Sequence, residues 1–325
     1  MSLEVAQIVA QWGAYYKPGS DNEKNLRNML YKPSETAAFF APRPTSDTIY
    51  RGTLATLNRI VQPFQKAYTP IGEFNFQPNE FALYKLKIDM QEDPDDLEQS
   101  YLGFLADLPE ADRSKWPFVR WAVENHIKPK RDEDLEENEY FAGEYAAPAA
   151  GIAGAAGTAM NGLRKVIRGY NTAGRTNLGD GAIVTGPAAA DPSDWCTQVE
   201  EFVRSIPRLF RGKIDKVFMD PDLELKFRDG KDAKYNMQYA KEADLLTINK
   251  FPHIKVQGLE SHAGSNLIWA TIPANRVQPI KKAALKDTLT AKEFSPRQVS
   301  IYGDWWECLN FEVPEFIFHN DQDLA

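Results

Sequence analysis

Chemistry in this chain would have to begin at a small number of places. Residues 151–157 (Gly-Ile-Ala-Gly-Ala-Ala-Gly) are dense enough in glycine to suggest a loop that cradles phosphate through backbone N–H groups. Such a loop needs Lys and then Ser or Thr directly after its last glycine, whereas Thr158 follows here without the lysine. A dinucleotide loop needs another glycine spacing after a strand. The tract is better read as a hinge or crossover that lets backbones approach closely. His126, His253, His262 and His319 lack the paired spacing of a zinc site, and Cys196 and Cys308 form no CxxC. Ser261 and His262 are adjacent, but side chains of consecutive residues diverge and no G-x-S-x-G elbow is present, so a polar turn is expected there. The acidic runs 92–98 and 132–139 lack the calcium-loop pattern and suit acidic first turns or solvated helix faces. Trp305-Trp306 sits in a strand-like segment, where one ring points to each side and packing explains both. No catalytic residue, cofactor or metal is assigned, and the chain is not expected to be an enzyme.

The elements that would position any site fit a globular protein with a sizeable core: 325 residues, 43% apolar and 12% aromatic. The formal net charge of -8 argues against general attraction to nucleic-acid phosphates, which needs clustered Lys and Arg. No apolar run reaches membrane-spanning length, and the first residues carry Glu4 without a basic leader, so neither a membrane partner nor a signal peptide is expected. The two distant cysteines suit reduced, buried thiols in a cytoplasmic setting.

Residues 1–50 are interrupted by Pro18, Pro33, Pro42 and Pro44, and cannot bury Trp12, Tyr15, Tyr16, Phe39 and Phe40 by folding on themselves. These aromatics need another surface. A helix is predicted at 53–60, then two strands around a Gln77-Pro78-Asn79 turn, with Phe74, Phe76 and Phe81 on an apolar edge and Lys85 and Lys87 on a basic one. The longest helix-compatible tract is 93–143, capped at Asp93-Pro94, restarting at Trp116-Pro117, kinked or ended at Pro129 and resumed before Gly143. Beyond it come a helix from Leu163 that stops by Gly174, a loop, and a helix started by Asp191-Pro192 with Trp195, Val199, Phe202, Val203 and Ile206 on one stripe. A buried strand, KIDKVFMD, precedes a helix from Asp220-Pro221 with Asp229-Gly230 near its end. The remainder is strand-rich, which makes the fold class α+β.

This order of parts, with DLEQSYLGFLAD, WPFVRWAVENHI, DLEENEYFAGEYA, KIDKVFMDPDLELKFRD and GSNLIWATIPANRVQPIKK, resembles the major capsid proteins of tailed bacteriophages, the fold named for phage HK97. The segments look most like coat proteins of phages of Bacteroidetes-type hosts, over residues 53–319. The resemblance implies an N-terminal arm with a short helix (1–68), an E-loop hairpin (69–92), a broken spine helix and peripheral domain (93–150), and a mainly axial domain (151–280) with a peripheral helix near 192–206. C-terminal strands (281–325) would return to the peripheral domain. It implies self-assembly into pentamers and hexamers of an icosahedral shell enclosing DNA without sequence-specific binding, located in the virion capsid and assembled in the host cytoplasm. Scaffold, portal and decoration proteins are the further partners it implies. No long helical scaffolding segment stands ahead of the arm, so a scaffold is a separate protein, has been removed by a protease or lies outside this sequence. Inter-subunit contacts are expected at Trp12, Phe39, Phe40, Phe74, Phe76, Glu80, Phe81, Lys85 and Lys87, and removal of residues 1–50 is expected to leave a soluble fold without closed particles. The alternatives are an encapsulin-like compartment shell and a cytosolic enzyme whose site is not recognisable.

Overall fold

The computed structural model describes residues 34–57, 59–92, 122–235, 242–282, 289–295 and 298–324. In chain order the strands are β1 (Ala41–Thr45), β2 (Ile49–Leu57), β3 (Phe74–Ala82), β4 (Tyr84–Glu92), β5 (Lys216–Met219), β6 (Thr247–Ile248), β7 (Phe251–Gly258), β8 (Trp269–Ala270), β9 (Arg276–Lys281), β10 (Thr290–Ser295), β11 (Gln298–Glu307), β12 (Asn310–Phe311) and β13 (Phe318–His319). The α-helices are α1 (Lys128–Asp134), flanked by π-helical turns at Val123–Ile127 and Leu135–Glu139, then α2 (Leu163–Thr172), α3 (Pro192–Ser205), α4 (Arg208–Arg211), α5 (Pro221–Tyr235) and α6 (Glu242–Leu245). The mixture is α+β, as expected.

Two sheets carry two cores. The six-stranded sheet runs β1-β9-β11-β10, with β12 on β9 and β4 on β11. Its long strand β11 alternates strictly: Val299, Ile301, Trp305 and Glu307 are buried while Gln298, Ser300, Tyr302 and Trp306 face the other way. The two tryptophans therefore do point to opposite sides. The five-stranded sheet runs β13-β8-β5-β7-β6, and its central β5 is a short apolar run buried between neighbours on both edges. The C-terminal strands divide between the two sheets, since β13 joins β8.

The helix α3 forms as its sequence requires. Asp191 accepts from the backbone N–H groups of Ser193 (2.8 Å) and Asp194 (3.3 Å), and Pro192 occupies the first turn, where its missing N–H costs nothing. All five stripe residues, Trp195, Val199, Phe202, Val203 and Ile206, are buried in the second core, each contributing about 1.5–3 kcal/mol relative to exposure. At the other end the Arg211 guanidinium donates to the Ile206 carbonyl (2.8 Å) and to that of Arg204, closing the helix.

Several expectations are corrected. Residues 49–57 form a strand and not a helix: Leu54 and Leu57 mimic a helical period, but β2 pairs with β3 along nine consecutive positions and that pairing decides. Gln77-Pro78-Asn79 is not a turn but the middle of β3, with Pro78 opposite Thr53 in a two-stranded ribbon, where a strand edge tolerates the missing donor. The spine's proposed starts at Asp93 and Trp116 lie outside the described residues. From Val123 to Glu139 the chain is helical, and it passes through Pro129 without ending, because the preceding π-turn (Lys128 N–H to Val123 C=O) widens the helix before the proline ring. Gly230 lies near the end of α5, as expected, with the helix running on to Tyr235; a Cβ there would collide with the Pro192 carbonyl, so the glycine lets α5 cross the start of α3. The tract 143–161 is irregular, as expected.

Candidate assembly surface

Among the described residues the hairpin β2–β3 is anchored at its base. At the base, Asn79 is buried and its amide donates to the carbonyls of Phe311 (3.0 Å) and Glu312 (3.2 Å), while Tyr170 on α2 donates to Asn310 (2.9 Å) beside it. Tyr50 and Phe81 stack there at 5.2 Å. Away from the base, no hydrogen bond or ring contact among the described residues ties the hairpin's apolar side chains to the rest of the fold. Phe64 and Tyr68 are each 93% exposed, Phe74 and Phe76 are 63% and 62% exposed and stack on one another at 6.0 Å, and Leu57, Ile60, Val61 and Ile71 are exposed as well. A two-stranded ribbon with a polar base and an apolar far end is unsatisfied in water, and such a patch marks a contact surface.

Behind the hairpin the structure brings together residues that sequence spacing kept apart. Ser261 and His262 do touch: Ser261 Oγ lies 2.9 Å from His262 Nδ1, correcting the expectation that neighbouring side chains diverge. The turn Glu260–His262 is a single 3₁₀ turn packed in the core, and burial forces both polar groups to find partners inside. Trp269 Nε1–H donates to His262 Nε2 at 2.8 Å, so that nitrogen is bare and the neutral ring carries its proton on Nδ1, which donates to Ser261 Oγ. Ser261 in turn meets Thr36 Oγ1 at 2.6 Å, and Thr36 donates through its hydroxyl (2.5 Å) and its backbone N–H (3.1 Å) to the Glu136 carboxylate. A carboxylate only accepts, so each hydrogen points from His262 toward Glu136. The imidazole cannot act as base toward Ser261, and burial without a charged neighbour lowers the His262 pKa to about 3. With Phe141 stacked on His262 at 3.8 Å, this pair is a structural staple between the N-terminal segment, the spine and the five-stranded sheet.

The end of the glycine-rich tract is tied to a carboxyl group of the chain itself. Glu139 at the spine's end accepts from the backbone N–H groups of Gly157 (2.9 Å), Ala159 (3.0 Å) and Met160 (3.2 Å). That fixes residues 157–160 against the helical segment that ends at Glu139. Cys196 and Cys308 are buried free thiols; burial pushes Cys196 up to about 11 and Cys308 higher still, so neither is a poised nucleophile. Among the described residues no group of His, Cys, Asp and Glu is arranged to hold a metal ion, and no helix is long and apolar enough to cross a membrane.

No family model and no curated relative matches the sequence. Solved structures do match along nearly the whole chain. The satellite phage P4 procapsid protein superposes with a TM-score of 0.56 at 10% identity, covering 98% of this chain and 91% of that one. The capsid of Myoviridae phage XM1 gives 0.54 at 10% identity, covering 93% and 95%. This is the HK97-type capsid fold. A third match to the same fold is the holo-SrpI encapsulin of Synechococcus elongatus PCC 7942, with a TM-score of 0.50 at 10% identity, covering 99% and 96%.

On this capsid fold the residues expected at subunit contacts separate into distinct environments. Phe74 and Phe76 lie on the open hairpin, and Glu80 is exposed beside Arg51 (3.3 Å). Lys85 and Lys87 are exposed on β4, but within the six-stranded sheet, where Lys85 pairs with Asp304 across to β11 and Lys87 with Asp89. Phe40 and Phe81 are buried in the chain's own first core, Phe40 against Trp269 and Phe311. Phe39 is half-buried, edge-on to Phe218 (5.3 Å) with Lys216 Nζ 4.9 Å from its ring. Trp12 lies outside the described residues. Sequence reading missed Phe64 and Tyr68; the prediction of a helix at 53–60 hid the hairpin to which they belong.

Proposed function

We propose that this chain is the major capsid protein of a tailed bacteriophage, a structural and not a catalytic subunit that assembles into pentamers and hexamers of an icosahedral shell around DNA. The observation that carries the reading is the uncovered aromatic hairpin on a capsid-type fold matched from end to end. In this reading the E-loop includes the β2–β3 hairpin of residues 49–82, and its exposed far end lies over an adjacent copy, burying Phe64, Tyr68, Phe74 and Phe76. Many contacts of this size, repeated by symmetry, close a shell without any one of them being strong. The net charge of -8 suits an inner wall that encloses DNA without gripping it. Scaffold and portal proteins are the expected further partners, and the virion the location, after assembly in the host cytoplasm. The likeness to an encapsulin supports a second reading, a compartment shell around protein cargo, and the contents of purified particles separate the two.

Size-exclusion chromatography followed by negative-stain microscopy tests this. The wild-type chain is expected to give rings, sheets or shells. The double variant Phe64→Ser/Tyr68→Ser is expected to remain small with its stability unchanged to within about 0.5 kcal/mol, because both side chains are exposed in the single chain. A variant that assembles like wild type would sink the hairpin's role, and a wild type that stays a monomer or dimer at all concentrations would sink the shell.

A further inference from the structure

Two stretches of the chain that meet at the five-stranded sheet run against its acidic composition. Residues 206–216, which include α4 and enter β5, hold Arg208, Arg211, Lys213 and Lys216 with one acid, Asp215; residues 246–258, which carry β6 and β7, hold Lys250 and Lys255 with none. The fold stitches the two together. β5 pairs in parallel with β7, which sets Lys216 beside Lys255, and the Lys255 N–H donates to the Asp215 carbonyl (3.0 Å). His253 Nε2 lies 3.0 Å from the Arg211 carbonyl, and the Arg211 guanidinium sits 5.2 Å from the centre of the Phe251 ring. Six cations and one acid therefore share a region of a chain whose net charge is -8.

These cations are accessible and unanswered. Arg208, Lys213, Lys250 and Lys255 are exposed, and Arg211 and Lys216 are half-buried. Among the described residues none of the six is in an ion pair, whereas Lys85, Lys87, Lys130, Lys165, Arg168 and Arg175 each meet a carboxylate. The one acid of the region is already shared: Asp215 accepts from Nη2 of the buried Arg276 (3.1 Å), whose Nε and Nη1 have no hydrogen-bond partner. Burial pushes the Lys216 ammonium below the ordinary lysine value, and Arg276 and Lys255 lower it further against the pull of Asp215. Like charges held together in this way raise the local potential and attract a polyanion.

We propose that this patch is a contact site for the phosphate backbone of nucleic acid, centred on Lys213, Lys216, Lys250 and Lys255. Protein interfaces are poor in lysine and built around an apolar core. Within these two stretches one large apolar side chain is exposed, Leu209, while Phe210 is buried and Phe251 is half-buried beside Arg211. A phosphate backbone needs no such core and is met by unpaired Lys and Arg on flexible stems, without regard to base sequence. The acidic remainder of the surface repels the same backbone, so the contact is confined to the patch, weak and sensitive to salt. It rests on the shell reading only for where the chain would meet DNA; the binding itself is a property of the single chain.

Fluorescence anisotropy of a short labelled DNA duplex, titrated with the full chain at several salt concentrations, tests this. The logarithm of the affinity is expected to fall against the logarithm of salt with a slope of about -4, close to -0.9 for each phosphate met. Lys213→Gln/Lys255→Gln is expected to make that slope shallower by about 2 and to weaken binding about tenfold at low salt. Lys87→Gln/Lys130→Gln removes the same charge elsewhere and is expected to bind as wild type does. Thermal melting checks folding, and Lys213→Gln/Lys250→Gln replaces the first pair if that chain melts early. Absence of wild-type binding at about 100 μM chain in low salt, or equal losses in the patch and control pairs, would overturn the proposal. Tighter binding of polyglutamate of matched charge than of the duplex would overturn it too, and would assign the patch to an acidic protein. Sedimentation of the same samples separates this from the shell reading. Wild type and patch variant that both form shells and bind the duplex equally overturn the contact alone. A wild type that binds through the patch and never assembles supports the contact and contradicts the shell.

Discussion

His262 shows how a residue type associated with catalysis becomes a structural part when every hydrogen around it is committed. Its ring is neutral in the folded chain, and its pKa, lowered by burial to about 3 from an ordinary 6.5, makes the folded state the weaker proton binder. The unfolded chain takes up a proton near pH 6.5 that the folded chain refuses until about pH 3, so this residue's contribution is complete above 6.5 and is lost as pH falls through that window. The full loss is of order 5 kcal/mol. Urea unfolding of wild type and His262→Gln at pH 7.5, 6 and 4.5 checks this: the substitution is expected to flatten the pH slope by up to about 1.4 kcal/mol per unit, and equal slopes would contradict it. Thr36 stands at the other end of the same chain of hydrogens. Thr36→Val keeps its shape but leaves Ser261 and Glu136 short of a partner, with an expected cost of about 1–3 kcal/mol in the same assay.

At the scale of elements, glycine separates what packing demands from what helix propensity allows. Gly230→Ala pushes a methyl group into the Pro192 carbonyl where α5 crosses α3, and is expected to cost about 2 kcal/mol or more. Gly169→Ala on α2 meets nothing within 4 Å and is expected to stabilise the isolated chain by about 0.5–1 kcal/mol. Thermal melts of the two variants should move in opposite directions. Where cap, proline and stripe coincide, as at Asp191-Pro192 and Asp220-Pro221, the helix start could be read from the sequence directly, because the signals are local. The hairpin could not be read so. Leu54 and Leu57 fit two periods, Pro78 and Asn79 look like a turn, and what makes 49–57 a strand is its partner some 25 residues later, with Asn79 tied to Phe311 and Glu312 from the far end of the chain. The Ser261–His262 staple was hidden for the same reason: its meaning comes from Thr36, Glu136 and Trp269, which no spacing rule connects.

For the whole molecule, the described part of the N-terminal region is built into the fold from Thr36 onward. From there to β1 the chain is integral: Thr36 joins the staple, Phe40 fills the first core and β1 pairs with β9 from Ala41 to Thr45. Removal of residues 1–50 is therefore expected to unfold the chain, not to leave a soluble fold that merely fails to assemble, and circular dichroism of that truncation distinguishes the two. Among the described residues the longest run of exposed large apolar side chains is on the hairpin and its connection, from Leu57 to Phe76, with others scattered at Tyr145, Ile152, Val184, Leu209 and Leu225. Cryo-electron microscopy of assembled particles tests this most directly, by locating residues 57–76. Density placing Phe64 and Tyr68 against an adjacent subunit is the predicted result; a closed particle in which both rings face solvent or fold back onto their own subunit would contradict it.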